Sequence, residues 1–182
     1  MLVRFSILHF SFCLFLLTPS LLKAEVPYPD TSGNLWNQYS TYKETLIHNR
    51  FFKHSDINTL VLKHAESPLF RHAVAGQSAQ GRDIHHLVLG TGKIKILLWS
   101  QMHGDESTAT MALFDLFNFF SANDENNELR QFLLNNLELH FIPMLNPDGA
   151  QVWQRRNAQD IDINRDARSL STPEGRILIE HG

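Results

Sequence analysis

The stretch KIKILLWSQMHGDEST, residues 93–108, decides how the chain folds. It begins with a run that becomes continuously apolar, which predicts a β-strand covered on both faces at the centre of a sheet. A helix follows, because apolar residues recur at helical spacing over residues 109–120. Between strand and helix, His103, Asp105 and Glu106 crowd one junction. The question is whether these side chains bind a metal ion or form an ordinary polar loop.

The flanking sequence predicts further strands and helices in alternation. Residues 70–76 (FRHAVAG) and 82–90 (RDIHHLVLG) are typical of two strands joined by a turn. A second helix is expected over about residues 125–136, and it leads into a strand over 137–145 (LELHFIPML). Strands that alternate with helices indicate an α/β fold with a mixed, mostly parallel central sheet flanked by helices.

Three shorter stretches complete the expected organisation. Residues 54–67 predict a helix capped by Ser55. NPDG at 146–149 predicts a turn, and DIDI at 160–163 predicts a short strand. In the strand around His85 and His86, alternation places the two imidazoles on opposite faces, so they are not expected to share one metal ion.

The first 24 residues are typical of a secretory signal peptide. Arg4 precedes an apolar run that ends at Leu17, and Ala24 is a small residue suited to cleavage. The alternative is a membrane anchor, but Ser6 and His9 interrupt the run and it ends early. We therefore expect a secreted or periplasmic protein with no stable membrane association after cleavage. The only cysteine, Cys13, lies inside this segment, so the mature chain has no disulfide.

Length and charge narrow the function classes. A chain of 182 residues suits one ordinary domain, and 43% hydrophobic residues can form a core. The formal net charge is −3 and no basic block stands out, so no nucleic-acid partner is expected.

The His103–Glu106 pair is a candidate metal site. It follows the carboxyl end of a predicted strand, where open α/β sheets form their sites, and Gly104 allows a sharp turn. An imidazole and a carboxylate are two of the three protein ligands that a catalytic zinc ion needs, with water at the fourth position. The alternative is ordinary: a glutamate in the first turn of a helix is also favoured by the helix dipole.

A second cluster, QRRNAQDIDINRD at residues 154–166, carries several arginines and polar side chains. A guanidinium can bind a substrate carboxylate through two hydrogen bonds, or it can stabilise an oxyanion. A solvated charged loop is the alternative for this cluster taken alone.

Together, HGDE, NPDG, RRN and DINRD, in this order and rough spacing, resemble the zinc carboxypeptidase family (metallocarboxypeptidases of the carboxypeptidase A type). The resemblance runs from about Gly76 to the last residue. It implies a carboxypeptidase fold, one Zn²⁺ ion, and a peptide substrate with a free C-terminal carboxylate. The chain then divides into a signal peptide (1–24), a lead-in with a helix (25–67) and the N-terminal portion of the catalytic domain (68–182).

The resemblance also implies a role for each matching residue. His103 and Glu106 match the first two zinc ligands, and Asp162 matches the carboxylate that orients the ligand histidine. Two adjacent residues match the pair that binds the substrate's terminal carboxylate, and one arginine matches the group that polarises the scissile carbonyl. These are Asn164 and Arg165 for the pair, and Arg155 for the carbonyl, with the neighbouring Arg156 as the alternative register.

The family's third zinc ligand, a histidine, and its base, a glutamate, have no match before Gly182. His181, Glu174 and Glu180 belong to the predicted final helix, which Ser171 or Thr172 caps. We therefore expect this chain to be an incomplete fragment that is inactive alone. Two other functions stay open: a zinc deacylase of small N-acyl amino acids in the same fold, and a non-catalytic relative that binds peptide termini.

Overall fold

The computed structural model describes residues 32–182. The predicted signal peptide, and with it the export prediction, lies outside the described residues. Within residues 32–182, no helix is both long and apolar enough to cross a membrane. The elements, in chain order, are α1 (Ser32–Tyr42), α2 (His54–Ala65), β1 (Arg71–Gln77), β2 (Asp83–Leu89), β3 (Ile94–Trp99), α3 (Thr108–Ser121), α4 (Asn127–Asn136), β4 (Leu137–Ile142), α5 (Pro147–Val152), a single 3₁₀ turn (Ile163–Arg165) and α6 (Pro173–His181).

The four strands form one mixed sheet in the order β1-β2-β4-β3. β2 pairs antiparallel with both β1 and β4, whereas β3 and β4 run parallel because α3 and α4 form the crossover between them. The expected α/β class, with a mixed sheet flanked by helices, is confirmed. The parallel share is smaller than expected in this part of the chain, since the β3–β4 pairing is the one parallel pairing among the described strands.

Residues of β2 and β4 alternate between two hydrophobic clusters on opposite faces of the sheet. The larger cluster packs strand residues such as Leu87 and Phe141 against Phe114 and Phe117 of α3. The smaller one packs Ile84, Ile142 and Ile177 under α6, together with further apolar residues. This alternation also separates two neighbouring histidines, as expected: His85 contacts Asn58 of α2, and His86 contacts His140 and His181 on the α6 side.

The predicted central position of β3 is wrong for the described chain. β3 lies at the edge of the sheet, and Ile94, Ile96 and Trp99 expose 60%, 38% and 45% of their surface. A continuous apolar run indicates that a strand needs cover, but it does not identify the element that provides the cover. Residues 32–182 supply no strand beyond β3, so part of the run stays exposed, whereas Leu97 and Leu98 are half-buried.

Three local predictions also need correction. α2 begins at His54, not after a Ser55 cap, because the Asp56 carboxylate accepts the Lys53 backbone N–H at 2.9 Å. NPDG is the start of α5 and not a free turn: the Asn146 side chain accepts the Gly149 N–H at 2.9 Å and Pro147 occupies the first turn.

The predicted strand at 160–163 is a loop that enters the 3₁₀ turn Ile163–Arg165. The Asp162 side chain accepts the Asn164 N–H at 3.1 Å, and this local hydrogen bond replaces strand pairing. The final helix agrees with one of its two predicted caps, since Thr172 Oγ1 accepts the Gly175 N–H at 3.0 Å.

Candidate functional site

The loop between β3 and α3 is held in place by an internal hydrogen bond and by contacts with residues 149 and 155. Gln101 adopts a left-handed conformation (φ 49°), and its side chain donates to the Gly104 carbonyl at 2.9 Å. Gly104 in turn donates its N–H to the Arg155 carbonyl at 3.3 Å. A Cβ atom on Gly104 would lie 2.1 Å from the carbonyl carbon of Gly149, so only glycine fits there. These contacts bring His103 beside the second polar cluster.

His103 lies between two carboxylates. Its Nδ1 is 2.8 Å from Glu106 Oε2 and its Nε2 is 3.1 Å from Asp162 Oδ1, while 8% of the side chain is exposed. A neutral imidazole has one N–H donor and one lone pair, so it can donate to only one of these acceptors. If the ring is neutral and Nε2 donates to Asp162, the Nδ1 lone pair faces the Glu106 carboxylate, and either a proton or a metal ion between the two satisfies both groups. Nitrogen and carboxylate oxygen are both zinc ligands, so these two donors suit a zinc ion, but residues 32–182 hold no group of three or more such side chains that could bind a metal ion.

Asp162 is fixed by several donors besides His103. Arg155 Nε approaches Asp162 Oδ2 at 3.2 Å, and the backbone N–H of Asn164 donates to Oδ1 at 3.1 Å. Burial would raise the pKa of Asp162, but the hydrogen bonds from His103 and Arg155 outweigh it and hold the pKa below its ordinary value. Asp162 therefore stays a carboxylate that can orient the imidazole of His103.

Arg155 joins the two carboxylates. Its Nη1 is 3.2 Å from Glu106 Oε1, and its Nη2 is 3.2 Å from Asp162 Oδ2. Arg156 turns away and donates to the Asp160 carbonyl at 2.7 Å. We call His103, Glu106, Asp162 and Arg155 the His103 cluster. Of the two candidate registers for the catalytic arginine, the structure brings Arg155 into this cluster.

Asn164 and Arg165 lie on the 3₁₀ turn that Asp162 caps. Both side chains are exposed, and the Arg165 guanidinium donates to the Asn164 carbonyl at 3.4 Å. The structure therefore places this pair beside the His103 cluster, with the side chains free of its hydrogen-bond network. Their predicted role toward a substrate carboxylate stays a prediction.

Two buried aspartates that position the site were missed by the sequence reasoning. Asp148 of α5 accepts hydrogen bonds from Ser78 Oγ at 2.7 Å and from the Gln80 N–H at 3.0 Å, and it pairs with Arg82 at 2.6 Å. This attaches the β1–β2 turn to the start of α5. Asp148 belongs to the NPDG motif (146–149), and the turn lies within GQSAQGR (76–82). Nothing in the sequence indicated that these two segments contact each other.

Asp166 holds the loop that follows Arg165. Its carboxylate accepts hydrogen bonds from the hydroxyls of Ser169 and Thr172 at 2.7 Å each, and from two backbone N–H groups, at 2.9 Å from Ser171 and 2.8 Å from Thr172. Burial alone would raise the pKa of Asp166, but these donors hold it well below its ordinary range. The signal available in the sequence was an aspartate followed by three hydroxyl residues before the final helix.

Comparison with known proteins gives one family. The family model described as zinc carboxypeptidase matches residues 59–174. Carboxypeptidase SOL1 of Arabidopsis thaliana is 40% identical over 65 residues, which cover 36% of this chain and 13% of that protein. Carboxypeptidase M of Mus musculus is 26% identical over 106 residues, which cover 50% of this chain and 24% of that protein.

Solved structures show the same fold. A metallo-carboxypeptidase from Burkholderia cenocepacia superposes with a TM-score of 0.65 at 21% identity, covering 71% of this chain and 37% of its own. A metallo-carboxypeptidase from Pseudomonas aeruginosa, in complex with (2-guanidinoethylmercapto)succinic acid, superposes with a TM-score of 0.63 at 28% identity. The superposition covers 72% of this chain and 37% of that one. The present chain thus spans well under half the length of these relatives.

Proposed function

Since this chain belongs to the zinc carboxypeptidase family, we propose that the protein hydrolyses the last peptide bond of substrates with a free C-terminus. We propose further that one Zn²⁺ ion takes part, and that His103 and Glu106 supply two of its ligands. The observation that carries this proposal is the placement of His103 between the carboxylates of Glu106 and Asp162. Such a donor set favours a cation at Nδ1.

Each residue of the His103 cluster has a distinct role in this proposal. A zinc ion bound there would polarise the scissile carbonyl and activate water. Asp162 accepts the Nε2–H of His103, which fixes the tautomer that presents Nδ1. The Arg155 guanidinium lies beside Glu106, and a guanidinium in this position can stabilise an oxyanion.

The substrate's terminal carboxylate is assigned to Asn164 and Arg165. Both side chains are exposed on the turn that Asp162 caps, so an incoming peptide can reach them. Arginine is suited to this task because its guanidinium donates two parallel hydrogen bonds to a carboxylate.

The described residues supply no third ligand to the His103 cluster. His181 lies against His86, with 4.4 Å between the tilted rings' centroids, and the buried Glu174 accepts a hydrogen bond from Asn157 at 3.0 Å, so neither contacts His103. A two-ligand site should hold zinc weakly, and we propose that residues 25–182 alone do not turn over substrate. Export through the signal peptide, into the periplasm or out of the cell, is retained as part of the proposal.

The test compares one peptide as the free acid and as the C-terminal amide. Cleavage of the free acid alone is expected, because the amide removes the carboxylate that Arg165 would bind. Arg165→Ala should abolish this discrimination, and Arg168→Ala, an exposed arginine of the same loop, is the matched control.

Three outcomes would contradict the proposal. Equal cleavage of acid and amide would indicate an endopeptidase. Hydrolysis of N-acetyl amino acids but of neither peptide would indicate a deacylase. Binding of the free acid by the complete, zinc-loaded protein without any turnover would indicate a non-catalytic relative.

A further inference from the structure

An exposed aromatic pair lies beside the His103 cluster and takes no part in it. Phe51 exposes 65% of its surface, and its ring centroid is 4.9 Å from that of the half-buried Trp153. The rings line a groove of about 330 Å³ between residues 51–53 and residues 150–153. Large exposed apolar surfaces of this kind commonly mark binding sites.

Trp153 is held in an unfavourable backbone conformation. It ends α5 with φ 55° and ψ 50°, the left-handed region that bulky residues rarely adopt. Such strain persists only where the surroundings enforce it, and it is often found at functional sites. Here the conformation turns the chain at the end of α5 and keeps the indole against Phe51.

The groove is connected to the candidate site on both sides. Trp153 precedes Arg155 by two residues, so their Cα atoms lie within about 8 Å. The carbonyl of Arg50 accepts a 2.6 Å hydrogen bond from Ser107, which directly follows Glu106. Adding these links places Phe51 within about 12 Å of Glu106.

We infer that the Phe51–Trp153 groove binds an aromatic side chain of the peptide substrate, within four residues before the scissile bond. The inference rests on the proposed function, in which only one residue lies beyond that bond, so a groove at this distance can only meet upstream residues. An extended peptide advances about 3.3 Å per residue, so an upper limit of about 12 Å corresponds to at most three or four residues.

Aromatic chemistry is favoured because two rings line the groove. Ring pairs add about 0.5–1.5 kcal/mol beyond the area they bury, which corresponds to roughly two- to tenfold in binding or in kcat/KM. The Arg50 guanidinium also lies over Phe51, at 5.2 Å from the ring centroid, which limits the positions that the Phe51 ring can take.

The experiment places phenylalanine at each of the second to sixth positions before the scissile bond of an otherwise uniform alanine peptide. For the active, zinc-loaded protein we expect kcat/KM to peak, by about two- to tenfold, at one position between the second and the fourth. Phe51→Ala should remove the peak and leave cleavage of the all-alanine peptide unchanged. Trp36→Ala, at an exposed tryptophan of α1, is the matched control.

The outcomes separate this inference from the proposed function. If kcat/KM does not depend on the position of phenylalanine, or if its peak remains in Phe51→Ala, the inference that the groove binds an aromatic side chain is wrong. If no peptide is cleaved, the proposed function is contradicted but the groove is not. Calorimetry with the same peptides then tests the groove, because Phe51→Ala should abolish the preference in binding affinity for one phenylalanine position. A dimer that Phe51→Ala dissociates, with peptide preference unchanged, would assign the groove to a second copy of the chain and overturn the inference.

Discussion

Replacing Arg155 with alanine should slow turnover far more than it weakens substrate binding. Arg155 is the arginine of the His103 cluster, and its guanidinium nitrogens lie 3.2 Å from the carboxylates of both Glu106 and Asp162. If it stabilises the oxyanion, its loss should lower kcat by roughly 10²–10³, equivalent to about 2.7–4 kcal/mol of transition-state stabilisation. KM should change less, because the substrate carboxylate is assigned to Asn164 and Arg165.

The assay measures kcat, KM and bound zinc on the same preparations of the active protein. Zinc should be retained in Arg155→Ala, because the two assigned ligands remain and Glu106 loses only a competing partner. Arg156→Ala is the matched control, since Arg156 contacts Asp160 and lies outside the cluster. A large loss of kcat in Arg156→Ala with none in Arg155→Ala would show that the assigned register is wrong by one residue.

Three further predictions concern binding and stability. Asp162→Asn should weaken zinc binding by roughly ten- to a hundredfold in a chelator competition, whereas the exposed control Asp160→Asn should not. If the two variants bind zinc with equal affinity, Asp162 does not orient His103. Asp166→Ala should lower the free energy of unfolding in urea by about 3 kcal/mol, since several donors lose a buried charged acceptor; a loss under about 0.5 kcal/mol would contradict this. Burial, with added repulsion from its histidine neighbours, lowers the pKa of His86 to about 4. Between its ordinary pKa and this value the unfolded chain binds a proton that the folded chain does not bind, so the free energy of unfolding should fall by up to about 3 kcal/mol from pH 6.5 toward pH 4. If His86→Gln shows the same pH dependence as the unmodified chain, His86 is not its cause.

The long periodic elements could be predicted from the sequence. α3 and α4 have apolar residues at helical spacing, and the hairpin β1–β2 has a clear turn, so local pattern determines all of them. The position of β3 could not be predicted. Its residues are as apolar as those of a covered strand, and only long-range pairing decides whether Ile94 and Trp99 are buried.

The residues of the candidate site could be predicted where they belong to sequence motifs. His103 and Glu106 are close in sequence, but Asp162 meets His103 across 59 residues, and only the family resemblance linked them. The choice between Arg155 and Arg156 needed backbone geometry. The links made by Asp148 and the aromatic groove had no sequence signal, because each depends on segments that meet only in the folded chain.

Zinc titration of ligand variants tests the central claim most directly. The active protein, stripped of metal and not residues 25–182 alone, is titrated in competition with a chromophoric chelator, alongside its His103→Ala and Glu106→Ala variants, with the exposed His48→Ala and Glu128→Ala as matched controls. One zinc ion per chain is expected, with binding lost in both ligand variants and kept in both controls, because the ion depends on Nδ1 of His103 and the carboxylate of Glu106. Undiminished zinc in both ligand variants would contradict the account.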